Sequence, residues 1–236
     1  MDAGTLVLLH SPLVGVESWG TLPGTLGRAW AASVAVPVGG DDRPPFARRY
    51  VDEAVARVVA AAAARPGPLL LVAHSGAGPL LGAVGAGLAA MGRPADGYLF
   101  CDAGLPEDGA TRLELLAAED PEMAAAFRAE LERGGRFPQW GDADLEPLVP
   151  DPATRAALVG SLRPRDLAFF TEPLPPAPGW PDAPCGLLRL SPAYDGWAAA
   201  AAARGWPTSA LDAGHFHQLA DPGAVAAALL GLLARL

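Results

Sequence analysis

Leu69-Leu70-Leu71-Val72-Ala73-His74-Ser75-Gly76-Ala77-Gly78 is the stretch that decides the fold. An apolar run leads directly into a serine flanked by small residues, and an Ala/Gly/Leu-rich segment follows. The pattern predicts a buried strand, a sharp turn and a helix, with Ser75 held in strained backbone geometry at the bend. A side chain so presented requires small residues two positions before and two after it, and Ala73 and Ala77 meet that requirement. The familiar form of the motif is G-x-S-x-G. Here both outer positions are alanine, so the match is to small-x-Ser-x-small. The same residues would also serve an ordinary strand-to-helix turn, so the rest of the chain has to decide.

Working outward, short continuous apolar runs alternate with longer helical patterns. Strands are expected at Thr5 to His10, Ser33 to Pro37, Leu69 to His74, Gly97 to Asp102, Gly186 to Leu190 and Pro207 to Leu211. Runs of this kind suit strands buried on both faces. Helices are expected near 17–31, 47–65, 76–91, 195–205 and 221–235. For the last, Asp221-Pro222 supplies an N-cap and a first-turn proline. Strand-helix-strand alternation implies an α/β fold with a doubly wound, mostly parallel six-stranded sheet.

One interval breaks the alternation. Residues 105–183, between the strands near 102 and 186, hold no convincing strand but carry helical stretches at Glu122 to Glu132 and Ala153 to Leu162, then a Pro-rich run from Pro173 to Pro181. The expectation is a helical cap over the strand ends, where ligands bind in open α/β sheets. Phe137, Trp140, Phe169, Phe170 and Trp180 would line a pocket beneath it. Their other role would be a core private to the insertion.

Composition bounds the class. A chain of 236 residues suits a single α/β domain spanning 1–236. A hydrophobic fraction of 51% predicts a packed globule, and a net charge of −9 disfavours nucleic acid or an anionic membrane as partner. A small neutral or cationic ligand fits better, and the sequence is silent on oligomeric state. No apolar run spans a bilayer and the first strand begins almost at once, so a cytoplasmic location is expected. Cys101 and Cys185 fall at the end of one strand and the start of another, which argues against a disulfide. The absence of Lys, Ile and Asn with abundant Ala, Gly, Pro and Arg reads as the codon bias of a high-GC genome, as in a high-GC bacterium.

A serine hydroxyl is a weak nucleophile at neutral pH, so an imidazole must take its proton. His215, in Leu211-Asp212-Ala213-Gly214-His215-Phe216-His217, lies just after the last strand and is the choice among four histidines. His217 is the competitor in the same loop. His74 points the wrong way along its strand and His10 ends the first one. The imidazole needs a carboxylate to fix its tautomer. Asp195 follows the penultimate strand and completes the order Ser…Asp…His, so it is placed ahead of Asp102. Asp102, at the tip of the strand after the serine, is the substitute acid.

Leu6-Val7-Leu8-Leu9-His10-Ser11-Pro12, the bend from Ala73 to Gly78, Tyr194-Asp195 and Gly214-His215-Phe216 together resemble the capped α/β-hydrolase family, in order over nearly the whole chain. With four residues before the first strand, the first two strands common in that family are expected to be absent. The resemblance implies a serine hydrolase in which Ser75 forms an acyl-enzyme that water then attacks, with no metal or organic cofactor. It further implies a substrate site near His10, Pro12, Trp140, Phe169, Phe170 and Phe216. One departure stands out. The loop that in the family begins His-Gly and donates a backbone N–H to the oxyanion reads His10-Ser11-Pro12 here, and proline has no N–H. Gly76 remains as one donor, and the second comes either from Leu13, shifted into that position, or from elsewhere.

The leading functional expectation is an esterase or thioesterase acting on small, largely apolar acyl substrates. The alternatives are a non-hydrolytic enzyme on the same scaffold (lyase, cyclase or acyl transfer in secondary metabolism) and an inert ligand-binding module. Epoxide hydrolases and haloalkane dehalogenases are set aside because they carry an aspartate where Ser75 sits.

Overall fold

The computed structural model describes residues 4–28, 30, 32–65 and 67–236. Six strands, β1 (Thr5–Leu9), β2 (Ala32–Val36), β3 (Leu69–Ser75), β4 (Gly97–Ala103), β5 (Cys185–Arg189) and β6 (Thr208–Ala210), form one sheet in the order β2-β1-β3-β4-β5-β6. Every pairing is parallel. The chain therefore winds outward twice from the middle of the sheet, and each winding needs a crossover helix.

Alternate residues of each strand enter different cores, as the two-residue period of a strand requires. Val7, Leu9, Leu71, Ala73, Phe100 and Leu187 pack on one face against α2 (Phe46–Ala62), α3 (Leu81–Ala90) and α9 (Asp195–Ala203). Leu6, Leu8, Val72, Leu99 and Leu188 pack on the other against α1 (Leu22–Leu26) and α11 (Pro222–Leu233). Asp221 caps α11 by accepting from Ala224 N–H at 2.9 Å, with Pro222 at the first helical position.

The first expected helix is shortened and displaced. Instead of 17–31 there is a 3-10 turn at Val16–Trp19 and then the five-residue α1. Gly20 adopts φ 47°, a left-handed conformation that ends the turn, and Pro23, Gly24 and Gly27 prevent a longer helix. Residues 29 and 31 of that expectation lie outside the described residues. Cys101 and Cys185 are both free and buried. Their strands are neighbours, but Cys185 pairs with Tyr98, three positions before Cys101, so the thiols sit at opposite ends of the β4–β5 pair.

Between β4 and β5 run α4 (Arg112–Glu119), α5 (Pro121–Glu132), α6 (Asp142–Leu145), α7 (Pro152–Gly160) and α8 (Leu167–Thr171). The helix α4 opens on a capping box in which Thr111 Oγ1 accepts from Glu114 N–H and the Glu114 carboxylate accepts from Thr111 N–H. Phe46, Leu113, Leu131, Phe169 and Phe170 form a cluster that ties this insertion to the start of α2. The remaining helix, α10 (His217–Ala220), precedes α11. Among the described residues no helix is long and apolar enough to cross a membrane.

Two buried histidines give the fold a built-in acid sensitivity. His10 is fully buried, with its Nε2 accepting from Val38 N–H at 3.0 Å and its Nδ1–H donating to Ser11 O at 2.9 Å. Burial lowers its pKa to about 4, and burial followed by the nearby His215 lowers that of His74 to about 3. Both folded values lie below the ordinary 6.5, so the unfolded chain takes up these protons first and stability falls as pH drops below 6.5. At up to about 1.4 kcal/mol per pH unit for each ring, the fold is expected to be weaker by about 4 kcal/mol at pH 5 than at pH 7.5. Urea midpoints at the two pH values measure this, and equal midpoints would refute it.

Candidate active site

Ser75 sits at the end of β3 with φ 57°, the left-handed backbone that the sequence pattern demanded. The pairing of β3 with β4 slips by one residue between His74 and Ser75, which turns the serine out of the sheet. Ala73 and Ala77 are buried beside it. The tightest neighbour is one step further along. A Cβ on Gly78 would collide with the backbone carbonyl of Gly104, so glycine is obligatory there.

Asp102, not Asp195, lies against His215. The Asp102 backbone takes φ 45° at the tip of β4, a conformation aspartate tolerates, and this swings its carboxylate toward the end of β5. There it accepts from Leu190 N–H at 2.7 Å, Ser191 N–H at 2.9 Å, Ser191 Oγ–H at 2.6 Å and His215 Nδ1 at 2.8 Å. Burial alone would push this carboxyl up, but the bond from His215, the charge of its ring and the bonds from Ser191 together hold it below the ordinary carboxylate range. Asp195 is corrected to a surface role. Pro192–Tyr194 forms a single 3-10 turn that uses up the loop, so Asp195 begins α9 and its largely exposed carboxylate pairs with Arg189 at 2.8 Å. His217, the rival base, does not reach the pocket wall.

The His215 ring is clamped between two others. His74 stacks on it at 4.5 Å and donates from Nε2 to the His215 carbonyl at 2.9 Å. On the other side Tyr194 stacks at 5.1 Å with planes 2° apart, and its hydroxyl lies 3.3 Å from Ser75 Oγ. Burial raises the Tyr194 pKa, so this hydroxyl keeps its proton. With Nδ1 committed to Asp102, Nε2 is the basic nitrogen left to the ring. Among the described residues the hydrogen-bond partner of Ser75 Oγ is Tyr194; a serine-imidazole bond that tightens only with substrate is common in unliganded sites.

Above these groups opens a cavity of about 470 Å³. Arg112, Leu115, Leu116 and Glu119 line it from α4 at helical spacing, Met123 and Phe127 from α5, and Phe137, Trp140, Phe170, Trp197 and Phe216 close it. Of the residues expected at a substrate site, Trp140, Phe170 and Phe216 do face the cavity, as do Leu13 and Gly76. His10, Pro12 and Phe169 do not. His10 is spent on holding the loop after β1. On the short α8, successive side chains diverge by about a third of a turn, so Phe170 meets the cavity while Phe169 lies under the Arg112 guanidinium at 4.0 Å and against Phe46. Trp180, also expected at the pocket, packs instead among Tyr98, Phe100 and Trp206 beside the sheet.

The residues the sequence reading passed over are Ser11, Tyr194, Trp197 and the α4 stripe. The stripe had a signal, since Thr111-x-x-Glu114 announces a helix start and would have placed Arg112, Leu115, Leu116 and Glu119 on one face. Arg112 is cationic in an apolar wall. Burial, its largest influence, lowers its pKa only to about 10, so it stays charged at neutral pH.

A parallel sheet of this strand order with a serine at its central bend, a carboxylate-imidazole pair beside it and a helical insertion over the strand tips is the frame of an α/β hydrolase. A model of the alpha/beta hydrolase family matches residues 6–228, and the chain belongs to that family. No curated protein matches it significantly in sequence. Among solved structures it is similar to an extracellular alpha/beta-hydrolase from a Paenibacillus species, with TM-score 0.70, 14% identity and coverage of 97% of this chain and 98% of that one. It is also similar to tomato Methylketone Synthase I complexed with 2-tridecanone (TM-score 0.69, 11% identity, 100% and 99% covered). A pyrethroid hydrolase from Sphingobium faniae aligns with TM-score 0.67 at 15% identity over 97% and 96% of the two chains. Likeness at such identities is likeness of fold.

Proposed function

We propose that the chain is a serine hydrolase cleaving an ester or thioester of a small, largely apolar acyl compound. The observation that carries the reading is that Ser75 and His215 share the foot of one apolar cavity, with the buried Asp102 bonded to His215 from behind. In the proposed reaction Ser75 Oγ attacks the acyl carbon while His215 Nε2 takes its proton, and Asp102 holds the ring and stabilises the imidazolium. His215 then returns the proton to the departing alcohol or thiol. Water, activated by the same ring, releases the acid from Ser75.

The cavity supports the substrate class. Its wall is predominantly apolar, with Leu, Met, Phe and Trp its bulkiest members and Arg112 and Glu119 among its exceptions, and its volume suits a small acyl compound. The test is labelling with a fluorophosphonate, read as a mass increment on the peptide that carries Ser75. Rapid stoichiometric labelling with turnover of a p-nitrophenyl ester is expected, and an unlabelled Ser75 would overturn the reading. A second reading, lyase, cyclase or acyl-transfer chemistry with His215 as base, is favoured by one observation, the bond of Ser75 Oγ to Tyr194 in place of the imidazole. Labelling without ester turnover would select it.

A further inference from the structure

An oxyanion hole needs two donors, and the loop after β1 lacks the expected one because Pro12 has no N–H. Leu13, the residue next in line, is also committed. Its N–H donates to Ser11 Oγ at 3.2 Å. That bond occupies a lone pair of the Ser11 hydroxyl and leaves its proton free to be donated elsewhere. Ser11 lines the cavity and packs against Gly76, where an added Cβ would lie 3.0 Å from Ser11 Oγ and 3.6 Å from Pro12 Cδ. Ser11 thus sits on the β1 flank of Ser75, beside the backbone N–H that follows the nucleophile. Asp102, Tyr194 and His215 come from β4, the turn after β5 and the segment after β6, on the opposite flank.

The turn that carries this hydroxyl is fixed from several directions. Ser11 O accepts from His10 Nδ1–H at 2.9 Å and from Val14 N–H at 3.2 Å. Pro12 O accepts from Arg165 Nη2 at 3.3 Å, and Leu13 O accepts from Arg163 N–H at 2.9 Å. Tyr50 Oη–H donates to His10 O at 2.6 Å. A donor held in this way does not have to be reorganised when charge develops.

We propose that the Ser11 hydroxyl is the second donor to the oxyanion, standing in for the backbone N–H that Pro12 cannot supply. The assignment rests on the serine-hydrolase reading above. When Ser75 Oγ bonds to the acyl carbon, its proton passes to His215 and the carbonyl π pair moves onto oxygen. That oxygen then accepts from Gly76 N–H and Ser11 Oγ–H. When the C–O or C–S bond to the leaving group breaks, the pair returns to the carbonyl and the leaving group takes the proton from His215.

Ser11→Ala is expected to lower kcat by about 100- to 1000-fold with little change in KM. Its affinity for a trifluoromethyl ketone, which forms the tetrahedral adduct on Ser75, should fall in parallel, while affinity for the matching methyl ketone should hold. A merely structural role would move both ketones together. Pro12→Ala in the Ser11→Ala background restores an N–H to the loop and is expected to recover at least about tenfold. Turnover of Ser11→Ala within about threefold of the parent overturns the assignment. So does a loss of adduct stability carried by Tyr194→Phe in place of Ser11→Ala. Failure of fluorophosphonate to label the parent Ser75 overturns the hydrolase reading itself, whereas normal labelling with an indifferent Ser11→Ala removes the Ser11 role alone.

Discussion

Ser75→Ala is expected to lower turnover of an activated ester by about a millionfold, the loss typical of removing the nucleophile from a serine triad. The residual rate would come from the oxyanion donors and from binding, which act on a water attack as well. Folding should survive the change. The left-handed backbone at φ 57° is no harder for alanine than for serine, and the oxygen removed makes one hydrogen bond, to Tyr194. Initial rates with a p-nitrophenyl ester, beside a thermal melt, measure both halves of the expectation. Turnover within about a hundredfold of the parent would show that the reaction does not pass through this oxygen.

The second large effect separates two aspartates that sequence order and geometry rank in opposite ways. Asp102→Asn is expected to cost about 10⁴ in kcat, because an amide can turn its NH2 toward His215 Nδ1 and leave the ring in the wrong tautomer. Asn would also lose the charge that Leu190 N–H, Ser191 N–H and Ser191 Oγ–H now solvate. Asp195→Asn is expected to leave turnover within about threefold and stability within about 1 kcal/mol, since it weakens only an ion pair with Arg189 whose carboxylate is largely exposed. Parallel rate and melting measurements on the two variants decide it. A loss carried by Asp195→Asn would return the acid to the loop after β5.

The contrast shows what a sequence can and cannot specify. Six strands, their parallel pairing and the bend at Ser75 were legible because continuous apolar runs and small flanking residues are local patterns with one structural solution. The choice between Asp102 and Asp195 was not, since it turns on a positive φ at the end of β4 and on how many residues the Pro192–Tyr194 turn consumes. Neither leaves a periodic trace. Phe169 and Phe170 make the same point at the cavity: adjacent phenylalanines on a five-residue helix read alike, and only packing against Arg112 and Phe46 sends one inward. Tyr194 belongs to a recognisable motif, yet its contact with Ser75 depends on side-chain reach across 119 positions of sequence.

The stripe Arg112, Leu115, Leu116 and Glu119 belongs to a stretch of chain that contributes none of Ser75, His215 and Asp102, which stand at or beyond the tips of the sheet. In the proposed reaction, what fits the cavity and what reacts in it would therefore be set by separate segments of chain. Substitutions along that one helical surface would retarget the cavity to a differently shaped compound while leaving the proposed proton-moving groups untouched.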